Sequence, residues 1–291
     1  MLDFYPPTLD DRERVESFVR DCGQIGCDIS FTNAYLWRNR YDIRIAFDDD
    51  TYYKCYALGG NVTGYSMPIT KGDIRKAVDT VINDALERGT KPMIGLLNDA
   101  NAELIHRLYS DRVHIKEDRS TLDYIYKREN LANLAGKKYH AKRNHISRFI
   151  RSCDKWEVRE LGEDTFSDAM QISEIWQQSN DDTGELDIIR DAFAHFDELG
   201  MFGLVLYADG KPVAMCAASK INDRVCDVNF EKATDFDGAY AMINREFARY
   251  FDSFTLVNRE EDIGLEGLRK AKLSYHPDIL YSKSHAVFDM Y

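Results

Sequence analysis

Three stretches of this chain place groups capable of chemistry at telling positions. In RVCDVNFEK, residues 224 to 232, extended-chain alternation sends Asp227, Asn229 and Glu231 to one face and Cys226, Val228 and Phe230 to the other. The apolar face reads as core. The polar face either meets solvent, the commoner outcome, or lies under a second layer, where Asp227 or Glu231 would take a proton from an attacking amine or hydroxyl. In GKKYHAKRNHISRFIR, residues 136 to 151, a helical reading gives an apolar stripe of Tyr139, Ile146, Phe149 and Ile150, with Lys142 and Arg143 inside it. Cations within an apolar stripe need either acidic partners from the body or an anionic ligand. In VNREEDIGLEGLRKAKLSYHP, residues 257 to 277, Leu265, Leu268 and Lys272 share a helix face, so Lys272 either snorkels at a helix end or points into a pocket.

Metal chemistry finds no support in the spacing. His140 and His145 lie on different sides of a helix, and the six cysteines form no CxxC pair and no zinc-like Cys/His pattern. Reduced, mostly buried thiols are expected.

Positioning these groups requires a sizeable core, which 291 residues with 44% hydrophobic content can supply. A formal net charge of -12 argues against general nucleic-acid coating and against DNA as a partner, while leaving room for a local basic site. No apolar run approaches the roughly 18 residues of a membrane span, and the N-terminus lacks a basic region followed by an apolar one, so a cytoplasmic location is expected. A first helix is expected over residues 8 to 22, a hairpin about Asp48-Asp49-Asp50, a third strand at GYSMPI, and helices over 72 to 88 and 99 to 109 around strand KPMIGLL. The second half repeats this grammar. Strand KWEVREL, helices near 164 to 179 and 185 to 199, and strands MFGLVLY, KPVAMCAASK and RVCDVNFE are followed by helix 238 to 251 and strand FTLVN. Helix 263 to 272 and one terminal strand near 279 to 288 close the chain. The expected class is α+β, in two similar domains, 1–130 and 131–291, with the basic helix 136–151 at the join. Clefts at such joins commonly bind ligands.

The segments CDISFTNAYLWRNRY, LAGKKYHAKRNHISRF, EKATDFDGAYAMINREF and VNREEDIGLEGLRKAKLSYHP carry a resemblance. Through them the chain resembles an uncharacterised bacterial family related to the C-terminal catalytic domain of phosphatidylglycerol lysyltransferases, and more distantly the Fem-type aminoacyl-tRNA-dependent transferases. The resemblance implies tandem N-acetyltransferase-like (GNAT) domains, each a mostly antiparallel mixed sheet with flanking helices, and a site in or beside the cleft of the second. KRNHI, Lys142 to Ile146, is similar to a Fem segment that contributes charge for an anionic substrate, which singles out Arg143. Gly267-Leu268-Arg269-Lys270-Ala271-Lys272 is similar to a segment that supplies an active-site lysine, with alanine here in place of the aromatic residue before Lys272.

The donor is constrained by a departure. Acetyltransferases that use coenzyme A offer a glycine-rich pyrophosphate loop at a helix N-terminus. This chain has KATDFDGAYAM, in which Gly238 alone remains and Asp235 and Asp237 would repel a pyrophosphate, so coenzyme A is disfavoured and no cofactor is expected. The leading expectation is an acyltransferase that moves an aminoacyl group from charged tRNA, or another activated carrier, to an amine or hydroxyl acceptor, either a small molecule or a lipid headgroup. Asp227 or Glu231 would be the base, Lys272 the charge stabiliser, Arg143 with Lys142 the anion clamp, and Asn229, Asn244, Asn258 and Arg259 the substrate-positioning groups. The rivals are an acyl-CoA N-acyltransferase with an atypical loop and a non-catalytic binding protein that keeps the tandem fold.

Overall fold

The computed structural model describes residues 1–180 and 184–289. The chain forms two compact units. The first comprises residues 1–123, 261–266 and 280–291, and the second residues 124–260 and 267–279.

In the first unit the acidic turn at 48–50 joins antiparallel strands Ile43–Phe47 and Thr51–Leu58. Gly59 and Gly60, at φ 58° and 84°, then supply the left-handed backbone of the next tight turn into Asn61–Ser66. The sheet runs Ile43–Phe47, Thr51–Leu58, Asn61–Ser66, Met93–Leu97, Ser284–Phe288, Val113–Glu117, and Ile69–Thr70 pairs on Thr51–Leu58. Strands Asn61–Ser66 and Met93–Leu97 are parallel, and the other pairs of this sheet are antiparallel. Helix Ile74–Glu87 begins where Asp73 accepts hydrogen bonds from the Arg75 and Lys76 amides, and helix Asp99–Tyr109 where Asn98 caps Asn101. Their inner faces close a core of Tyr53, Val78, Ile94, Leu97, Ile105 and Phe288.

The single terminal strand expected near 279 to 288 is two strands, Ile279–Tyr281 and Ser284–Phe288. The first lies where the chain leaves one unit for the other, and the second is an inner strand of the first unit's sheet. The first helix is shorter than expected, a 3-10 turn Leu9–Asp11 leading into Arg12–Val19. Strands Val113–Glu117 and Asp123–Lys127 escape the sequence pattern. VHIKE is too polar to mark itself, and DYIYK runs straight into a helix without a turn signal.

The second sheet runs Ile279–Tyr281, Asp123–Lys127, Leu256–Asn258, Val225–Ala233, Lys211–Asn222, Phe202–Ala208, Trp156–Glu160. Again one pair is parallel, Val225–Ala233 with Leu256–Asn258. Helices His140–Arg151 and Ala239–Tyr250 pack together on one face, where Tyr126, Ile146, Phe149, Leu206, Met242 and Phe247 belong to one buried cluster. Helix Phe166–Gln178 packs on the sheet strands as well, against helix Glu185–Ala194. Both units are therefore mixed, mostly antiparallel sheets with flanking helices, the expected α+β architecture. All six cysteines are free.

Candidate functional site

Strand Val225–Ala233 does not alternate as its sequence suggests. Asp227 pairs with Ser219 and Val228 with Ala218, but Phe230 pairs with Ala217, so Asn229 is an extra residue. This β-bulge resets the pleat. Asp227 and Asn229 stay on one side, linked by a 3.2 Å hydrogen bond from Asn229 Nδ2 to Asp227 Oδ2, while Glu231 emerges beside Cys216 on the side of helix Ala239–Tyr250. Neither side is the solvent-exposed polar face that alternation favours, for Asp227 is 0% exposed and Asn229 6%.

The bulge lies just past a fork. The parallel strands pair only through Val225–Leu256, Cys226–Val257 and Asp227–Asn258, and beyond Asp227 they part. The crevice beyond the carboxyl ends of parallel strands is where α/β sheets place ligands. Here Glu231 Oε1 accepts from Arg259 Nη2 at 2.8 Å and Glu231 Oε2 from Asn244 Nδ2 at 3.2 Å. The Arg259 guanidinium carbon stands 4.9 Å from the Tyr275 ring centre, and Lys142 Nζ stands 3.8 Å from the same centre. The tyrosine ring thus carries two cations.

Burial works against the charge of Arg259, but Glu231, with Tyr126 and Tyr275, outweighs it and holds the guanidinium firmly protonated. Among the described residues Lys142 has no such counterion at contact distance. Its burial, then the Arg259 charge, push it down to about 8, against an opposing pull from Glu231. Two buried polar atoms of this cluster, Arg259 Nη1 and Asn244 Oδ1, have no hydrogen-bond partner among the described residues. An arginine donor and an amide acceptor left open beside an amine near neutrality form a polar surface suited to an acyl or phosphate group.

Lys272 is 8% exposed and donates from Nζ to the Arg259 carbonyl, while Tyr126 Oη donates to the Lys272 carbonyl at 2.8 Å. It fixes the backbone that carries Arg259. Asn258 is fully buried, and its Oδ1 accepts from the Glu260 amide at 2.8 Å. Arg143 turns elsewhere. Its Nη1 donates to the carbonyls of Leu134 and Gly136 at 2.6 and 2.7 Å, closing the loop before the basic helix. Ile150, assigned to the apolar stripe, is 43% exposed. The structure therefore gathers Glu231, Asn244, Arg259 and Lys142, and holds the Lys272 ammonium on the Arg259 backbone carbonyl. It keeps Asp227, Asn229 and Asn258 at the strand fork and Arg143 on the loop. Sequence reasoning missed Tyr126 and Tyr275, whose signal was slight: buried tyrosines beside paired cations.

The loop before helix Ala239–Tyr250 has a packing task. Gly238 has φ 79°, and a Cβ there would lie 2.2 Å from the His145 carbonyl oxygen. Arg148 Nε pairs with Asp237 at 3.2 Å and Phe149 meets Phe236 edge to face, so the acidic loop is held against the basic helix.

A second polar cluster lies inside the first unit. Lys283, 1% exposed, directs Nζ to Asp28 at 2.6 Å, Asp123 at 2.7 Å and Glu261 at 2.5 Å, with Cys27 Sγ at 3.3 Å. Burial disfavours its charge, and the three carboxylates reverse the effect and push its pKa well up. Cys27, Asp123 and Glu261 stand close enough to hold an ion, but the ammonium takes that position.

Residues 20–286 match the family described as phosphatidylglycerol lysyltransferase, C-terminal. A conserved protein of unknown function from Bacteroides thetaiotaomicron is 35% identical, with TM-score 0.93 over 99% of this chain and all of that one. L-PGS from Bacillus licheniformis shares the fold at 14% identity, TM-score 0.68, over 96% of this chain and 92% of its own. FemX shares it at 8% identity, TM-score 0.66, over 98% and 97%. An uncharacterised protein of Mycoplasmoides gallisepticum is 21% identical over 179 residues, and the chain spans about half the length of that curated relative, 55%.

Proposed function

Because the chain belongs to the phosphatidylglycerol lysyltransferase C-terminal family, we propose that it is an acyltransferase that moves an aminoacyl group from charged tRNA, or another activated carrier, to an amine or hydroxyl acceptor. The observation that carries this reading is the open Arg259 donor beside Lys142, Asn244 and Glu231 at the strand fork.

In that reaction the acceptor nitrogen or oxygen attacks the ester carbonyl and loses its proton. A tetrahedral oxyanion forms, and the bond to the carrier oxygen then breaks. Glu231 is the proton acceptor on the Arg259 side, and Asp227 lies across the sheet. Arg259 Nη1 meets the oxyanion, a contact of a kind commonly worth roughly 3 kcal/mol. Lys142, poised near neutrality, clamps an anionic part of the donor and can return a proton to the departing oxygen. Lys272 acts on Arg259 through its backbone, and Arg143 acts through the loop. Asp237 on Arg148 and Gly238 under the His145 carbonyl support a donor other than coenzyme A, since that loop is engaged with the basic helix.

The test is competition binding of charged total tRNA against uncharged tRNA and acetyl-CoA at two salt concentrations, followed by release of labelled amino acid from the charged tRNA. Preference for charged tRNA, with release lowered at least about tenfold by Arg259→Lys, is expected. Acetyl-CoA binding alone, or release unchanged by that variant, would overturn the reading.

A further inference from the structure

The chain leaves the first unit after Asp123 and re-enters it at Glu261. Both residues adjoin the backbone that carries Arg259. The Arg259 amide donates to the Tyr124 carbonyl at 3.0 Å, and the Tyr124 amide donates to the Glu260 carbonyl at 3.2 Å. Arg259 therefore stands two residues before Glu261 and is paired with the residue that follows Asp123.

Between Arg259 and Glu261 the backbone is strained. Glu260 takes φ 53°, a left-handed conformation that favours glycine and persists elsewhere only where the surroundings over-determine it. On the Arg259 side the Glu260 amide is held by Asn258 Oδ1 at 2.8 Å. On the other side the hold is Lys283, whose ammonium has one N–H for each of Glu261, Asp123 and Asp28. The Cys27 amide adds a 2.9 Å bond to Asp123 Oδ2. Asp123 and Glu261 are thus pinned to one cation, one on each strand beside the turn. Apolar side chains of the same volume would commonly stabilise a core as well as such a cluster does, so its geometry is the more informative property.

We propose that Lys283 is a positioning residue for Arg259. By holding Asp123 and Glu261 it fixes the Glu260 turn, and the turn sets where Arg259 Nη1 faces while Glu231 holds Nη2. Lys283 itself touches no reacting group. This deepens the acyl-transfer reading and rests on it, since Arg259 Nη1 is the oxyanion contact in that reading.

The experiment compares two variants of the full chain. Glu261→Ala frees the turn from Lys283, whereas Asp28→Asn weakens the same ammonium on a segment that does not lead to Arg259. The Asp28 carbonyl keeps its bond from Lys54, so that segment stays anchored. The first readout is the Arg259 Nε–H resonance, identified by its absence in Arg259→Lys. It should move in Glu261→Ala and keep its wild-type position in Asp28→Asn. The second is single-turnover release of labelled amino acid from charged tRNA. In Glu261→Ala the rate constant should fall at least about tenfold at an unchanged half-saturating tRNA concentration, because the oxyanion exists only in the transition state. In Asp28→Asn both parameters should stay near wild type. A residue that only stabilises the fold would lower the active fraction, read as the amplitude, and leave the rate constant of the folded molecules alone. Lys283→Met should give the same pair of changes as Glu261→Ala, which carries the test if Lys283→Met does not fold. An Arg259 resonance unmoved in folded Glu261→Ala, or equal shifts and rate losses in the two variants, would overturn the assignment. Absence of release by the wild type would overturn the acyl-transfer reading instead, and the resonance would still decide whether Lys283 positions Arg259.

Discussion

Glu231 and Arg259 are each about nine-tenths buried and joined at 2.8 Å, so neither can be removed alone without stranding the other's charge. Glu231→Gln should therefore lower stability by about 3 kcal/mol in denaturant unfolding. Adding Arg259→Gln should restore part of that loss, which a double-mutant cycle measures directly. Lys142 makes the opposite kind of prediction. Its folded pKa, about 8, lies below the unfolded value near 10.5, so the unfolded chain binds more protons between those values and stability gains with rising pH there. Below about 8 the full penalty of the buried ammonium is present. Lys142→Met should thus raise the melting temperature at pH 7 and lose that advantage by pH 10.5, and a constant offset across the range would refute the shift. Lys142 stood out in the sequence because a cation inside an apolar stripe is a conflict. Lys54 and Lys283 did not, because their partners come from remote parts of the chain. Asp28, which both lysines meet, is 26 residues from one and 255 from the other.

Elements decide which of these residues meet. Asp227, Asn229 and Glu231 were legible as chemical candidates, but their shared face was not, because a period of two cannot register one inserted residue. Asn229 is that residue, and it divides the carboxylates between the two sides of the sheet. Deleting Asn229 should restore alternation, turn Glu231 away from Arg259 and Asn244, and abolish acyl transfer while the far-UV spectrum persists. Retained activity would show that Glu231 is not the proton acceptor. Gly238 illustrates the reverse, a glycine whose sequence context suggests a degraded phosphate loop and whose structure shows a close approach to the basic helix. Gly238→Ala combines a left-handed φ with a backbone clash and should cost about 2 to 4 kcal/mol, visible as a fall of several degrees in melting temperature. A change within about 0.5 kcal/mol would mean that the two helices do not need this contact.

At the scale of the molecule, two α+β units were legible from the repeated order of strands and helices. The return of the chain's end into the first unit was not, since strand pairing between distant segments leaves no local pattern. Lys283 sits on that returning segment and holds Asp28, Asp123 and Glu261, carried by three other segments of the same unit. Lys283→Met should destabilise the protein by about 3 to 5 kcal/mol near pH 7, because two buried carboxylates, Asp28 and Asp123, and the partly buried Glu261 lose their cation. The loss should shrink toward pH 5 as Asp123, whose burial already lifts it to about 6, takes up a proton. A loss independent of pH would point to packing instead.

Strand Ser284–Phe288 lies between Met93–Leu97 and Val113–Glu117, both made much earlier in translation. The ribosome must add roughly 160 residues after residue 123 before that strand exists, about eight to thirty seconds at ordinary rates of synthesis. Throughout that interval two inner strand edges of the nascent first unit stay open to other chains and to chaperones. The half that is synthesised first is therefore the half that finishes folding last.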